Sequence, residues 1–401
     1  MPTQRNPISY LVSDTILSMF AGMALTALAG CSDGSSGGAA SLAEGFDPLV
    51  AKMSVCRAKL SATTLADGRI LIAGGHETNP VSRSHASAEI FDPTTRTFTT
   101  TGSMLDRRQC HTATLLPDGS VLVAGGNNET DQAYSTAEIY DPVTGEFSAT
   151  DDMAEERTCA MATLLPNGTV LIAGGYDTFG VFSSTAEIYD PETGLFGDPI
   201  PMNFEHSCHA QVLMRNGLVL LTTGCISGFD RLEVFDWRDS SFTYVGDLSC
   251  QRKYPFFELL PDGRVLIAGG QAEGDDVPTA ETYTPSYSGA PGTITLLSST
   301  LGTGRWRGAH ALLPDGRVLL MGGATERPGG GSSYLRTAEI FDPVSGEFSG
   351  ELRMSVARGN WPRCVVTQAG YAVVFGGIDG YGEASDSSDI WAIMQDVAGS
   401  R

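Results

Sequence analysis

The stretch RQCHTATLLPDGSVLVAGG (residues 108–126) is followed by AEIYDP (residues 137–142) and then by Phe147. Apolar and polar residues alternate before its Pro-Asp-Gly turn, and the β-branched run after that turn ends in Gly-Gly. AEIYDP alternates again and closes on Asp-Pro, and a short fourth run surrounds Phe147. Period-two runs separated by turn residues are typical of β-strands. We therefore predict four short antiparallel strands here.

The motif recurs seven times along the chain. The second glycine of its doublet, or the equivalent residue, falls at Gly75, Gly126, Gly175, Gly224, Gly270, Gly323 and Gly377. A four-stranded unit with a period of about fifty residues is typical of a propeller blade. The sequence therefore predicts an all-β, seven-bladed β-propeller over residues 46–394, built from four-stranded antiparallel blades.

The two ends of the repeat region predict how the ring closes. The seventh copy contains three recognisable strands, whereas residues 46–52 precede the first copy and carry a phenylalanine, Phe46, ahead of Met53. In other copies a similar phenylalanine marks the fourth strand. We expect residues 46–52 to complete the last blade, because pairing both ends in one sheet removes exposed strand edges.

The Gly-Gly doublet, the following Glu-x-Tyr/Phe-Asp-Pro and an arginine about seventeen residues before the doublet resemble kelch repeats. The resemblance covers roughly residues 46–394. It implies the propeller fold. Kelch propellers serve as binding platforms and also carry several unrelated enzyme activities, so the function has to be argued from a site.

The N-terminal region resembles that of an exported bacterial lipoprotein. An apolar stretch at residues 16–29 leads into Leu-Ala-Gly-Cys, in which Cys31 would carry the lipid, so we expect a lipoprotein signal peptide over residues 1–30. An ordinary signal peptide or a disordered tail is the alternative. Residues 31–45 would form a flexible Gly/Ser tether, and residues 395–401 a C-terminal tail.

These features predict a lipid-anchored location in the cell envelope. By resemblance to Gram-negative sorting, Ser32 after the cysteine favours the outer membrane. The chain has 25 Lys+Arg against 47 Asp+Glu, a net charge of −22, which disfavours nucleic acid and anionic lipid headgroups as partners. We expect a monomer that meets the membrane through its lipid alone.

The loops of the repeat unit differ between its two faces. The turn between strands one and two is nearly uniform, whereas the segment between strands two and three varies in length and chemistry from copy to copy. Variable loops on a uniform scaffold usually carry specificity. We therefore predict that a protein or glycan partner binds at the channel mouth on the variable side.

Arginines recur at one position of the repeat, and the candidates for ligand contact are Arg57, Arg108, Arg157, Arg252, Arg305 and Arg358. By resemblance to some kelch adaptors, they would grip acidic ligands. The alternative is an internal ion pair within each blade, because acidic residues recur as regularly in strand three, at Glu89, Glu138, Glu187, Glu233, Glu281, Glu339 and Asp389.

Aromatic residues accompany the arginines of the last three blades. Tyr254, Trp306 and Trp361 lie within three residues of that column. Rings beside guanidinium groups would suit a sugar face or an acidic peptide. The alternative is that the rings fill the wide channel of the propeller.

Cysteines form a third recurring set. Cys110, Cys159 and Cys208 share one repeat position. Across the two-residue turn at residues 216–217, Cys208 faces Cys225, which predicts a disulfide. A soft-metal site from the three cysteines with His209 is the alternative, but the chain has no Cys-x-x-Cys pair, and we predict no metal site and no cofactor.

Known catalytic motifs are missing from the sequence. Some kelch propellers are copper radical oxidases, which use two tyrosines, one of them linked to a cysteine, and two histidines, but this chain has no Tyr-His dipeptide. It also has no Gly-x-Ser-x-Gly elbow, since that pattern occurs only at residues 30–34 and 34–38, at the end of the signal peptide and in the tether, and it has no His-Glu-x-x-His. We predict a binding module without catalytic residues; the alternative is a kelch enzyme, epimerase-like or, less favoured, copper radical oxidase-like.

Overall fold

The computed structural model describes residues 46–49, 51–78, 82–222, 224, 230–286, 292–327, 331–379 and 384–391. In this part of the chain every regular element is a β-strand. Seven antiparallel sheets contain four or five strands each, and they correspond to the seven copies of the motif. The prediction of an all-β propeller with four-stranded sheets is confirmed. The predicted signal peptide, Cys31, the tether and the C-terminal tail lie outside the described residues.

Each sheet places its strands in the same order from the channel outwards. The innermost strands are Ser61–Thr64, Thr112–Leu115, Met161–Leu164, Gln211–Leu213, Phe256–Leu259, Ala309–Leu312 and Arg363–Val366. The second strands are Ile70–Ala73, Val121–Ala124, Val170–Ala173, Val219–Thr222, Val265–Ala268, Val318–Met321 and Ala372–Phe375. The third strands are Ala88–Asp92, Ala137–Asp141, Ser183–Asp190, Arg231–Asp236, Ala280–Thr284, Thr337–Asp342 and Ser388–Trp391.

The outer strands complete the sheets. They are Thr97–Thr100, Glu146–Ala149, Leu195–Phe196, Ser241–Asp247, Thr293–Leu296, Glu347–Phe348 and Phe46–Pro48, with Ile200–His206 and Leu352–Arg353 added to two sheets. Three small hairpins lie between strands two and three: His76–Glu77 with Arg83–Ser84, Gln271–Ala272 with Asp275–Asp276, and Ala324–Glu326 with Ser332–Tyr334.

The ring closes through the N-terminal strand. Phe46–Pro48 pairs antiparallel with Ser388–Trp391, and Phe46 lies opposite Trp391. The innermost strands contact one another in a closed cycle, in which Arg363–Val366 meets Ser61–Thr64. The predicted closure by residues 46–52 is thus confirmed for its first three residues.

The core lies between neighbouring sheets. The second strand of each sheet is buried along its whole length, as expected for a strand that is covered on both faces. One cluster, for example, joins Leu71 and Ile90 of one sheet with Val121 and Tyr140 of the next. Burial on both faces explains why these strands read as continuous apolar runs.

The Gly-Gly doublet links one sheet to the next. The N–H of Gly126 donates to the carbonyl oxygen of Arg157 in the following copy at 2.9 Å, and Gly377 donates to Arg57 at 3.0 Å across the closure. Gly125 has a φ of +64°, and a Cβ there would lie 2.3 Å from the same Arg157 oxygen. The first glycine is therefore required by both conformation and close approach.

Candidate functional site

The recurring arginines are internal. Arg57, Arg108, Arg157, Arg252, Arg305 and Arg358 are buried, with at most 2% of any of them exposed. In five blades the guanidinium forms an ion pair with the strand-three glutamate of its own sheet: Arg57–Glu89, Arg108–Glu138, Arg157–Glu187, Arg252–Glu281 and Arg305–Glu339, at 2.6–3.1 Å.

Backbone carbonyl oxygens accept further hydrogen bonds from the Nη1 atom of each guanidinium. Arg108, for example, donates through Nη1 to the carbonyl oxygens of Gly125 (2.8 Å) and Thr136 (2.9 Å), and through Nη2 to Glu138 (2.7 Å). Glu138 also accepts from the backbone N–H of Leu105 at 2.7 Å. The ion pair therefore fixes the loop before the inner strand against the glycine doublet.

Burial contradicts the interpretation of these six arginines as ligand contacts, and in five of them the contacts support the alternative of an internal ion pair. Their guanidinium groups are buried and already donate to acceptors within the blade, so they do not contact a ligand at the mouth. In the fourth blade along the chain a histidine takes the place of the arginine, and His206 Nε2 lies 2.8 Å from the Glu233 carboxylate.

The aromatic set divides into two. Trp306 is buried, with 6% exposed, which favours the channel-filling interpretation for that ring and contradicts its assignment as a ligand contact. Tyr254 and Trp361 are half-buried and line the cavity at the mouth. Tyr254 stacks on Trp306 at 5.9 Å and meets Trp361 edge-on at 5.5 Å between ring centroids.

The mouth is built from one position of the repeat. Residues at this position have left-handed backbone with φ between 46° and 60°, and they are Lys59, Cys110, Cys159, Cys208, Tyr254, Arg307 and Trp361. The residue before each turn pairs with the start of the strand two–three loop, for example Trp306 with Ala324. This pairing places the position on the variable side, where the sequence predicted the site.

Backbone hydrogen bonds join this position from blade to blade. Cys110 donates to the carbonyl oxygen of Lys59 (3.2 Å), Cys159 donates to that of Cys110 (3.0 Å), and Trp361 donates to that of Arg307 (2.9 Å). Non-glycine residues with positive φ are uncommon and persist where the surroundings impose them. We call these seven residues the mouth ring. Its backbone is constant, while its side chains differ from blade to blade.

The mouth ring and the first residues of the inner strands enclose a cavity of about 110 Å³. Its cations are Lys59, Arg307 and Arg363, and none of the residues lining it is acidic. The chain as a whole has a net charge of −22. The cavity is therefore a cationic site in an acidic protein.

Arg307 lies inside an aromatic cage. Its guanidinium carbon is 4.0 Å from the ring centroid of Tyr254, 4.8 Å from Trp306 and 4.6 Å from Trp361. Its Nε is buried and has no hydrogen-bond partner among the described residues. Cation–π contacts hold the charge in place without consuming its N–H donors.

Two further cations flank this cage. The Lys59 ammonium lies 5.8 Å from the Trp361 ring centroid, and Arg363 donates through Nε to the carbonyl oxygen of Leu60 at 3.1 Å. No carboxylate pairs with Lys59, Arg307 or Arg363 in the described part of the chain. The sequence reasoning missed these residues, although Lys59 and Arg307 share the repeat position already noted for the cysteines.

The opposite half of the ring carries thiols. Cys110, Cys159 and Cys208 line the cavity, and the Cys159 sulfur lies 4.0 Å from the Tyr176 hydroxyl. No cysteine pair in the described residues is at bonding distance. Cys225 lies outside those residues, so the predicted Cys208–Cys225 disulfide is unsupported here and stays a prediction.

The channel below the ring holds buried titratable groups. Desolvation lowers the pKa of His111 and His209 to about 3 and that of His310 to about 4, so these rings are neutral at pH 7. His111 Nε2 lies 2.9 Å from Ser61 Oγ, and His310 Nε2 lies 3.1 Å from the carbonyl oxygen of Phe257. Burial raises the pKa of Glu258 to about 7.

A protein metal site needs several donor side chains close together. Across the described residues, no group of three or more His, Cys, Asp or Glu side chains is arranged to hold a metal ion. His111 and His310 bond to the neighbouring inner strands, and His209 Nε2 lies 3.4 Å from Oε1 of Gln211 in its own blade. No described helix has the length and apolarity to cross a membrane.

Comparisons with known proteins agree with this architecture. The model of the Kelch motif matches residues 57–105 and 157–196. Comparison with curated proteins gives no match. A fungal alcohol oxidase of the AA5 family in complex with copper superposes with a TM-score of 0.70 at 16% identity, covering 86% of this chain and 76% of the oxidase.

A second solved structure, that of YjhT, has a TM-score of 0.56 at 12% identity and covers 86% of this chain and 97% of its own. At these identities the two likenesses show the fold alone. The motif match in two copies, the repeated Arg–Glu pair beneath the glycine doublet and the ring of four-stranded sheets together identify kelch motifs in this chain and support a kelch-repeat β-propeller.

Proposed function

We propose that the protein is a binding module whose channel mouth takes an anionic ligand with an apolar or ring face. One observation carries the proposal: Lys59, Arg307 and Arg363 line a cavity without acidic residues, in a chain of net charge −22. Unpaired cations in a half-buried cavity attract an anion strongly, because their charge is neither neutralised nor fully hydrated.

The ligand chemistry follows from the donors. Arg307 offers planar N–H groups suited to a carboxylate, and Lys59 adds a point charge beside it. Tyr254 and Trp361 offer ring faces next to these cations, which suit the flat face of a sugar. A hexuronic acid, or a uronic acid residue of an acidic glycan, combines both features.

Binding can be tested by calorimetry with glucuronate as the probe and glucose as the neutral control. We expect glucuronate to bind, glucose to bind at least tenfold more weakly, and rising salt to weaken glucuronate binding. Arg307→Met should reduce the affinity. Arg69→Met is the matched control, because Arg69 is paired with Asp67 on an exposed turn. Equal binding of glucose and glucuronate, or equal losses in both variants, would refute the proposal.

Membrane anchoring at the cell envelope through Cys31 is a second part of the proposal. It rests on the Leu-Ala-Gly-Cys sequence at residues 28–31 and the apolar stretch before it. Cys31→Ser should release the protein from the membrane fraction of an expressing bacterium, since a lipid chain is the proposed attachment. Unchanged fractionation would exclude Cys31 as the anchor.

The enzyme alternative, epimerase-like or copper radical oxidase-like, has no specific observation in its favour. An epimerase would need paired acid and base groups at the ligand, and in this cavity they would have to come from histidine, tyrosine or cysteine side chains, because its lining includes no carboxylate. The binding module is therefore the function that we put forward.

A further inference from the structure

The thiol half of the mouth ring has no role in the proposed anion site. Cys110, Cys159 and Cys208 occupy the same position in three consecutive blades, all with left-handed backbone, and all three line the open cavity. The other ring positions carry large or charged side chains. Three thiols side by side at a solvent-connected mouth therefore need a separate explanation.

Backbone geometry brings the cysteines within disulfide range. The N–H of Cys159 donates to the carbonyl oxygen of Cys110 at 3.0 Å, and that of Cys208 to the oxygen of Cys159 at 3.1 Å. With standard bond lengths, such a contact keeps the two Cα atoms within about 7 Å of each other. This range overlaps the Cα separations of about 4.4–6.8 Å that disulfides span.

The side chains also point at one another. The Cys159 thiol interacts electrostatically with those of Cys110 and Cys208, its neighbours on either side in the mouth ring, and all three line one cavity. We propose that Cys110 and Cys159 form a redox-active dithiol, which a hydroperoxide oxidises to a disulfide at the channel mouth. Cys159 is the central thiol, since it has a sulfur neighbour on each side.

The surroundings favour Cys159 as the attacking group. Hydrogen bonds from Cys110 and Cys208 lower the pKa of Cys159, and the Lys59 charge and the Tyr176 hydroxyl act in the same direction. The hydrogen bond to Cys159, together with burial, raises the pKa of Cys110. A thiolate is the nucleophilic form of cysteine, so the asymmetry assigns attack to Cys159 and resolution to Cys110.

The reaction balances with hydrogen peroxide as the oxidant. The Cys159 thiolate attacks one peroxide oxygen, the S–O bond forms as the O–O bond breaks, and the departing hydroxide takes up a proton to become water. Cys110 then loses its proton and attacks the Cys159 sulfur. The S–S bond forms, the S–O bond breaks, and the second hydroxide leaves as water with that proton. Two thiols are oxidised and one peroxide is reduced to two waters.

Mass spectrometry on the full chain tests the proposal. The reduced protein is treated with one equivalent of hydrogen peroxide, alkylated and digested. We expect a mass loss of two hydrogen atoms and a peptide pair linked through Cys110 and Cys159, and reversal by dithiothreitol. Cys159→Ser should lower the total yield of disulfide at least tenfold, because it removes the attacking thiol, whereas Cys110→Ser should still allow peroxide to react at Cys159.

Cys364→Ser is the matched control. Its thiol lies on an inner strand below the mouth, where burial raises its pKa, so the variant should react as the parent does. Thermal melts check that each variant is folded. A disulfide formed equally well in Cys159→Ser, a linkage found solely between Cys208 and Cys225, or no loss of free thiols among the eight cysteines after excess peroxide would overturn the proposal.

Discussion

Arg305 and Arg307 are two residues apart, yet the structure assigns them opposite roles, and replacing each by methionine separates those roles. Arg305 is buried and bonded to Glu339 at 2.6 Å and to the carbonyl oxygen of Thr337 at 2.8 Å. Arg307 has no carboxylate partner among the described residues, and it faces the cavity. We expect Arg305→Met to reduce stability and Arg307→Met to reduce binding.

The size of the first effect follows from what the substitution leaves behind. Without Arg305, the buried Glu339 carboxylate keeps two donors, the N–H groups of Gly302 (2.7 Å) and Thr303 (3.2 Å), and loses its cation. Removing one member of a buried ion pair costs about 3–5 kcal/mol. For a propeller of roughly 350 residues the unfolding entropy is about 0.7 kcal/mol/K, so Tm should fall by about 4–7 °C.

Arg307→Met should behave differently. Methionine can still pack against the three rings, so we expect a loss of stability near 1 kcal/mol, the size of a partly exposed cation–π contact. A lost hydrogen bond to a charged group is worth about 1.5–3 kcal/mol, which corresponds to about a 10- to 150-fold weaker affinity for glucuronate.

Urea unfolding measures the stability of both variants, and calorimetry measures their affinity for glucuronate. The double variant Arg305→Met with Glu339→Gln should recover part of the lost stability, because the amide removes the unpaired buried charge. The reasoning about the internal ion pair is refuted if Arg305→Met costs less than about 1 kcal/mol, well below the penalty for an orphaned buried charge. An unchanged affinity in Arg307→Met would refute the cationic site.

Four other outcomes follow from the described contacts. Trp306→Ala should destabilise the protein by about 3–5 kcal/mol in urea unfolding, as for a core aromatic ring, and a loss of binding at full stability would contradict its burial. Gly125→Ala should cost more stability than Gly119→Ala, since both have positive φ but a Cβ at Gly119 meets nothing within 4 Å. Burial raises the pKa of Glu258 from 4.5 to about 7, so the folded protein loses stability as pH rises between those two values and the buried carboxyl group ionises. Relative to the parent, the free energy of unfolding of Glu258→Gln should therefore increase by up to about 3 kcal/mol between pH 5 and pH 8. Removing residues 32–52 should lower Tm and removing residues 32–44 should not, because the strand Phe46–Pro48 completes the last sheet.

The fold was predictable because its determinants repeat. Alternation, the Pro-Asp-Gly turn and the Gly-Gly doublet each report local backbone requirements, and seven copies remove the ambiguity of any one of them. Even the closing strand could be inferred from Phe46, which precedes Met53 by seven residues where the corresponding pairs in other copies are six apart. The internal Arg–Glu pair could also be inferred from the sequence, because the arginine and the glutamate recur together at fixed positions of the repeat, as the residues of the scaffold do.

The candidate site was less predictable, because side-chain direction decides it. Arg305 and Arg307 look equivalent in sequence, but one extends under the glycine doublet and the other turns into the channel at a left-handed residue. Trp306 and Trp361 differ in the same way: one ring is buried and the other lines the cavity. The repeat period predicts where a residue lies in the blade, but it does not predict the direction of the side chain at a residue with positive φ.

The mouth ring nevertheless explains how a uniform scaffold acquires a specific site. The inner strands begin at a turn whose backbone is fixed by contacts to the previous blade, as between Cys159 and Cys110, so that a side chain there can change without disturbing the sheet. Buried positions lack this freedom, since Glu339 and Arg305 depend on each other. Variation at the ring therefore alters chemistry at little cost in stability. That freedom allows one half of the ring to carry cations and aromatic rings and the other half thiols, which is why the binding and redox proposals can be tested separately by single substitutions.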